Sequence, residues 1–400
     1  MFFKKLSSSL LVALMTTSLF AKVMPDIAVH GQLALDYLGH IQKQTGSTLT
    51  NGASLRAADL YVSANFNDSI SANLEFGFSP DGVELGTAFI AFENLLPMTD
   101  VLLGQVPSPF CLENANSGKY LPFLERSLAT AFKPCIGPGI SVNHHQDSWA
   151  IKMAVKGTPL GHKKADGKKY SESHTDHYGV TVRGTWAPVL EDKMLVHTGL
   201  SFSYQSMAGE GLDNLTSFSV SEVKGRNTAK IASKLSVPLK DYMVFGLEAS
   251  PAYGPFQLEA ESLLAVANIR DISGLAALGF NKTQILQAHN IGANWVITGQ
   301  SRSYSVKDGS FGAIKRDEVG DFGIWQLGVR YSRLDLSGNK EKDTPKTVAD
   351  NLTFALNWYP TEYLRLGMNY VMSMMSDNMK AYSGTDAPEG TLALRVQTVF

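Results

Sequence analysis

The chain has 400 residues, 44% of them hydrophobic and 18% charged, with 35 basic against 37 acidic side chains and a formal charge of −2. Balanced charge with 10% aromatics excludes a disordered chain, the missing basic excess leaves no surface for nucleic acid, and two cysteines exclude a disulfide scaffold or a four-cysteine zinc site. A mean hydropathy of −0.05 excludes a bundle of membrane-spanning helices and, taken alone, describes an ordinary soluble protein of two or three domains.

The first residues point elsewhere. Lys4 and Lys5 precede apolar residues 10–14 and 18–20, and Ala21 supplies a small residue for cleavage. That order is a secretory signal over 1–21, and its apolar run is shorter than the roughly 20 residues of a spanning helix. The remaining residues, 22–400, are expected as one exported domain.

Period-two alternation then recurs along the chain. In 27–37, Ile27, Val29, Leu33, Leu35 and Tyr37 alternate with Ala28, His30, Gln32, Ala34 and Asp36. In 60–67, Leu60, Val62, Ala64 and Phe66 oppose polar neighbours, and in 70–79 Ile70, Leu74, Phe76 and Phe78 do the same. Shorter or weaker alternation marks 83–92 and 101–105. The pattern returns at 149–155, 178–186, 194–204, 325–331, 352–358, 364–370 and 392–400. Alternation of this kind predicts half-buried strands and suits a soluble sandwich as well as a barrel. Three features select the barrel. The strands approach the roughly 9–11 residues of a tilted membrane span. Their apolar rows carry Trp, Tyr and Phe near the ends, as interfacial girdles do. The chain stops on Phe400, in the apolar phase of a last strand, which resembles the signature read by the barrel-assembly machinery of bacterial outer membranes.

Connections sort into two kinds. Short links fall at 67–69, 146–147, 187–193, 253–255 and 359–362; long ones at 38–53, 106–137, 157–175, 207–240, 268–287, 336–349 and 373–389. Short turns on one side and long loops on the other predict an all-β, antiparallel, up-and-down transmembrane barrel of sixteen strands with both termini periplasmic. The link 299–321 breaks the rule, because it falls on the short-turn side and is long.

One stretch is more specific than periodicity. Gly104-Gln105-Val106-Pro107-Ser108-Pro109-Phe110-Cys111-Leu112-Glu113, followed by Leu121-Pro122-Phe123-Leu124-Glu125-Arg126-Ser127-Leu128, resembles the G-Q-F-x-x-P-F-x-L-E and F-M-E-R-S segments of the phosphate-selective porin O/P family. Thr298-Gly299-Gln300-Ser301-Arg302-Ser303-Tyr304 with Phe311-Gly312-Ala313-Ile314-Lys315 resembles its T-G-E-S-R-x-Y and F-G-R-I-K segments. Trp325-Gln326-Leu327 with Arg330-Tyr331-Ser332-Arg333-Leu334-Asp335-Leu336, and Asn357-Trp358-Tyr359-Pro360, agree as well. The resemblance spans about residues 26–400. It implies a homotrimeric channel set in outer-membrane lipid, without cofactor or catalysis, for small anions or other hydrophilic solutes. It also implies that the third loop (about 106–137), the fifth loop and the long turn (about 299–321) fold inward to narrow the pore.

An anion path needs fixed cations facing a narrow aqueous lumen. The third loop offers Lys119, Arg126 and Lys133; the fifth offers Lys224, Arg226, Lys230 and Lys234; the long turn offers Arg302, Lys307, Lys315 and Arg316. Parity puts Arg56, Lys152, Arg183, Arg330, Arg365 and Arg395 on the lumen face. Acids share these segments: Glu113, Glu125, Asp308, Asp317 and Glu318, with Asp36, Asp59, Glu75, Glu248, Glu259 and Glu261 on the wall. Ala313 stands where the family carries an arginine. An anion-preferring pore, with phosphate-like anions among its solutes, is therefore weighed against a general diffusion pore and against a surface barrel serving as adhesin, antigen or envelope anchor.

Cys111 and Cys135 both fall in the third loop. In an oxidising compartment they are expected to pair, with roughly 3 kcal/mol of stabilisation from closing a loop of this length. His144-His145 and His174 with His177 are only pairs, so no metal site is expected. His197 and Ser201 point to the lumen by parity, which excludes a hydrolase site on the outer wall.

Overall fold

The computed structural model describes residues 25–41, 51–79, 82–157, 178–207, 215–224, 231–232, 236–270, 282–317, 319–338, 346–383 and 390–400. The expected signal at 1–21, and His174, His177, Arg226, Lys230, Lys234 and Glu318, lie outside these residues.

Along β1 (Asp26–Ile41), Ile27, Val29, Leu35 and Tyr37 are half exposed while Ala34, Asp36 and Leu38 are buried. This is the inverse of a soluble strand, in which the apolar row is hidden. The same inversion repeats in β12 (Phe256–Ile269), where Phe256, Leu258 and Leu264 face outward and Gln257, Glu259 and Glu261 inward. An apolar outer row is stable only against lipid, and in lipid each backbone polar group needs a partner, so the sheet has to close.

It closes with sixteen antiparallel strands. After β1 come β2 (Gly52–Asn67), β3 (Ile70–Ser79), β4 (Gly82–Leu96), β5 (Thr99–Val106), β6 (Gly137–His145), β7 (Trp149–Lys156), β8 (Gly179–Leu190) and β9 (Met194–Ser206). A short β10 (Leu215–Ser217) extends the pairing at the start of β11 (Ser236–Tyr253). Beyond β12 the wall continues with β13 (Thr283–Val296), β16 (Ile324–Asp335), β17 (Val348–Tyr359), β18 (Leu364–Met375) and β19 (Gly390–Val399). The seam pairs β1 with β19, from Gln32 opposite Val399 to Ile41 opposite Gly390. Phe400 continues it, with Gly31 N–H donating to the Phe400 carbonyl at 2.8 Å. Gly31 lacks the Cβ that would collide with the Phe400 ring. The terminal aromatic thus has a built seat at the seam.

Outward aromatics stack near the short-turn rim, Phe256 on Trp295 at 5.6 Å and Trp325 on Trp358 at 5.5 Å. These pairs have the place and type of an interfacial girdle. One connection departs from the alternation of short and long links: β3 and β4 are joined on the long-loop side by residues 80–81 alone.

The lumen is less uniformly wet than residue parity implies. The third loop, 107–136, enters the barrel with a short helix (Leu112–Ala115) and single turns at Gly118–Tyr120 and Leu128–Phe132. Phe110, Leu128 and Phe132 pack with Phe218 of the fifth loop and with Leu239, Tyr242, Val244, Leu263 and Leu334 of the wall. Ala265, Ala267, Ala288 and Ala349 line this part of the wall and leave room for them. Loop side chains that would be costly in water are thereby buried inside the barrel. The long turn also folds in, as a hairpin of β14 (Arg302–Ser305) and β15 (Ser310–Ile314). Phe311 packs there with Leu112, Ala187 and Leu195.

Candidate functional site: the inward loops and the lumen

Three buried ion networks hold the loops to the wall. Arg330 on β16 donates to Glu113 of the third loop at 2.9 Å and to Glu222 of the fifth at 2.8 Å. Arg395 on β19 grips Asp36 through both carboxylate oxygens at 2.7 Å and reaches Glu125 at 2.8 Å; Arg56 also binds Glu125. Arg183 on β8 donates to Glu248 at 3.0 and 2.5 Å, and to the Asp308 and Gly309 carbonyls of the hairpin. Gly309 has φ +56°, and a Cβ there would collide with Thr185, so the hairpin tip approaches the wall closely enough to offer its carbonyls. Arg183 and Arg330 were expected on the anion path. Their charges are instead buried and neutralised within these networks.

The remaining cations are arranged differently. A cavity of about 1430 Å³ runs between the third loop and the wall of β2 to β7, lined on the loop side by Arg126 and Lys133. A second cavity of about 750 Å³ lies nearer the termini and is lined by Lys119, Arg316 and Arg365 together with Tyr61, Tyr120 and Tyr359. Ser117 and Tyr120 belong to both walls, so the two spaces meet at the turn that carries Lys119. Lys119 Nζ sits 4.0 Å above the Tyr61 ring. Arg126 donates to the carbonyls of Glu113 at 2.9 Å and Asn116 at 2.8 Å, which fixes its direction without neutralising it. Among the described residues, no carboxylate lies within ion-pair distance of Lys119, Arg126 or Lys133. Burial lowers the Lys133 ammonium, and the like charges of Arg126 and Lys224 lower it further. Burial also lowers Lys119, against the opposing pull of Asp59 and Glu75 on the facing wall.

The long turn divides its cations. Lys307 pairs with Asp100 at 2.7 Å, while Arg302 reaches Gln257 and the Tyr120 carbonyl, both at 3.1 Å. Arg316 lines the second cavity, and Lys315 is exposed beside a narrower recess that also contains Arg302. Arg365 is buried, donates to Asn357 and to the Pro122 carbonyl, and leaves Nη1 without a partner among the described residues. The nine predicted path residues therefore fall into two groups. Lys119, Arg126, Arg302, Arg316 and Arg365, with Lys133, line the cavities beside the inward segments, whereas Arg183, Arg330 and Lys307 are paired and Lys315 stands at the margin. Sequence reasoning missed Glu222, which ties the fifth loop to Arg330, Ser332 and Thr353. Its only signal is an acid between Ser221 and Val223 within a polar loop.

The expected disulfide is a correction: both thiols are free. Cys111 is buried, and its Sγ fills the space a Cβ on Gly246 of β11 would occupy. Cys135 is exposed at the other end of the loop, where its carbonyl and Ser108 receive Lys156 of β7. The loop's two ends are docked on different parts of the wall, so proximity in sequence does not bring the sulfurs together. Burial, with Glu261 and Glu248 nearby, pushes the Cys111 thiol well above its ordinary range.

A barrel whose lumen is filled by a third loop, a fifth loop and a long turn has the architecture implied by the sequence motifs, and comparison with known proteins decides the family. The profile described as phosphate-selective porin O and P matches residues 27–400. The chain belongs to this family. It is a channel-forming porin of the bacterial outer membrane and not an enzyme. It is 24% identical over 349 residues to Porin O of Pseudomonas aeruginosa, covering 80% of this chain and 75% of that protein. Among solved structures it resembles the trimer form of OmpT, an outer-membrane protein of Vibrio cholerae (TM-score 0.55, 10% identity, 94% of this chain and 100% of that one). It also resembles an anion-selective porin from Comamonas acidovorans (TM-score 0.53, 12% identity, 94% and 100% covered).

Proposed function

We propose that this porin passes small anions in preference to cations, with Lys119, Arg126 and Lys133 of the third loop as the selective group. The observation that carries this reading is their position, on the loop that narrows the lumen and facing open space without a carboxylate partner among the described residues. Fixed charge in a narrow, low-dielectric passage concentrates counter-ions. Asp59 and Glu75 face them from the wall, so the field runs across the passage as well as along it and the preference is moderate. Arg302, Arg316 and Arg365 extend the positive surface toward the periplasmic mouth, while Lys315 contributes at its edge and Lys307 is held by Asp100. Phosphate-like anions fit this surface, although Ala313 leaves it one cation short of the family pattern. The relative described as anion-selective supports the same reading.

The trimer form known for the Vibrio cholerae neighbour supports a homotrimer here. Residues 1–21 are read as a cleaved signal and Phe400 as the contact for the assembly machinery. Planar-bilayer recordings in a KCl gradient test the central claim. Anion preference is expected for the native channel, with its loss or inversion when Lys119, Arg126 and Lys133 are all changed to Glu. A native channel that prefers potassium overturns it.

A further inference from the structure

Behind the third loop, on the side away from the passage, lies a group of side chains that solute transport does not use. Cys111 Sγ of the loop and carboxylate oxygens of Glu248 on β11 and Glu261 on β12 lie within 4.8 Å of one another, and all three residues are buried. The surroundings orient them. Glu248 Oε1 accepts from Arg183 Nη2 at 2.5 Å and lies 3.0 Å from His197 Nε2, while Glu248 Oε2 has no partner among the described residues, although the residue is only 1% exposed. Glu261 accepts from the Glu113 N–H at 2.8 Å and from Asn290 at 3.0 Å, one bond on each oxygen, which leaves lone pairs on both. Cys111 N–H donates to Ser201 at 3.0 Å, and the residue holds φ 50° and ψ 158°, a conformation that favours glycine. Two glycines make the room, since a Cβ on Gly246 would meet the sulfur at 2.5 Å and a Cβ on Gly199 would collide with Glu248.

We propose that Cys111, Glu248 and Glu261 bind one divalent cation of the zinc class, which pins the third loop to the barrel wall. Sulfur with two carboxylates suits a borderline-soft ion and suits calcium or magnesium poorly. Ligand atoms around a tetrahedral zinc stand about 3.5 Å apart, so the present spacing needs only a small gathering of side chains. On binding, the Cys111 S–H bond breaks, its proton leaves to solvent and the sulfur pair bonds to the metal. Three anionic ligands, the adjacent Arg183 and a divalent ion then sum to zero charge, which removes the cost of a buried uncompensated carboxylate. Contrary to the sequence reading, in which only histidine pairs were weighed, the site joins residues that are 137 and 150 positions from Cys111.

The test uses the full-length porin purified in detergent, freed of metal with a chelator and titrated with Co²⁺. Expected are about one Co²⁺ per chain, a thiolate-to-cobalt absorption band in the near ultraviolet, and displacement of that band by Zn²⁺. Cys111→Ser abolishes the band and Cys135→Ser retains it, with heat-modifiable gel mobility verifying that each variant is folded. Absence of the band in the folded native protein overturns the proposal without reference to any variant, as does a band that survives Cys111→Ser. Simple protonation of Glu261 in place of metal binding would give the first of these results.

Discussion

Arg330 offers the sharpest test of how the pore is kept narrow. It is 4% exposed and joins the wall to two loops, through Glu113 at 2.9 Å and Glu222 at 2.8 Å, with a further bond to the Glu125 carbonyl at 3.1 Å. Arg330→Met removes the cation but keeps most of its volume, leaving two buried carboxylates that retain, among the described residues, bonds from Ser127, Leu128, Ser332 and Thr353. Breaking one side of a buried pair costs about 3–5 kcal/mol. If that cost falls on loop docking, the undocked population rises by roughly two to three and a half powers of ten, at 1.4 kcal/mol per tenfold. The barrel itself, held by sixteen strands, survives. Single-channel recordings of Arg330→Met are expected to show a larger, noisy conductance, and protease added to the folded protein is expected to cut within 107–136. Adding Glu222→Gln, which removes one stranded charge, restores part of the native behaviour. A folded Arg330→Met channel with native conductance and native protease resistance would refute the idea that this ion network sets the aperture.

Three further outcomes follow from the same contacts. Burial acts to raise the Glu125 carboxyl, but Arg56, Lys224 and Arg395 outweigh it and hold it at about 2, against 4.5 ordinarily. A carboxyl held down in the folded state stabilises above pH 4.5 and loses that contribution as pH falls through about 2. The stabilisation is on the order of 3 kcal/mol, so amide protection of residues 121–128, corrected for intrinsic rate, is mostly retained at pH 4 and fades progressively between pH 4 and 2; complete loss between pH 5 and 4 contradicts this. Gly246→Ala places a Cβ 2.5 Å from the Cys111 sulfur and is expected to lower loop stability by about 1–3 kcal/mol, read as faster hydrogen exchange in 107–116 with unchanged barrel melting. In metal-stripped native protein, mass spectrometry after alkylation is expected to find Cys135 modified and Cys111 intact until denaturation; protection of both would revive the disulfide.

The sequence by itself determined the barrel. Side chains on a strand alternate between two faces, so an apolar row opposite a polar one is visible in the letters at 27–37 or 364–370, and so are turn lengths, the terminal Phe400 and the loop motifs. Parity also placed Arg183, Arg330, Glu248 and Glu261 on the inner face correctly. It could not say what each inner residue meets there, because that depends on how the third loop, the fifth loop and the β14–β15 hairpin descend into the lumen. Only the tertiary structure decided that Arg330 is neutralised by Glu113 and Glu222 while Lys119, Arg126 and Lys133 face open space, that alanines at 265, 267, 288 and 349 bed an apolar loop, and that Cys111 turns toward Glu248 and Glu261 rather than Cys135. The physical reason is the range of the interactions. Strand periodicity is local and follows from backbone geometry, whereas a buried charge takes its meaning from partners 65 to 359 residues away in sequence.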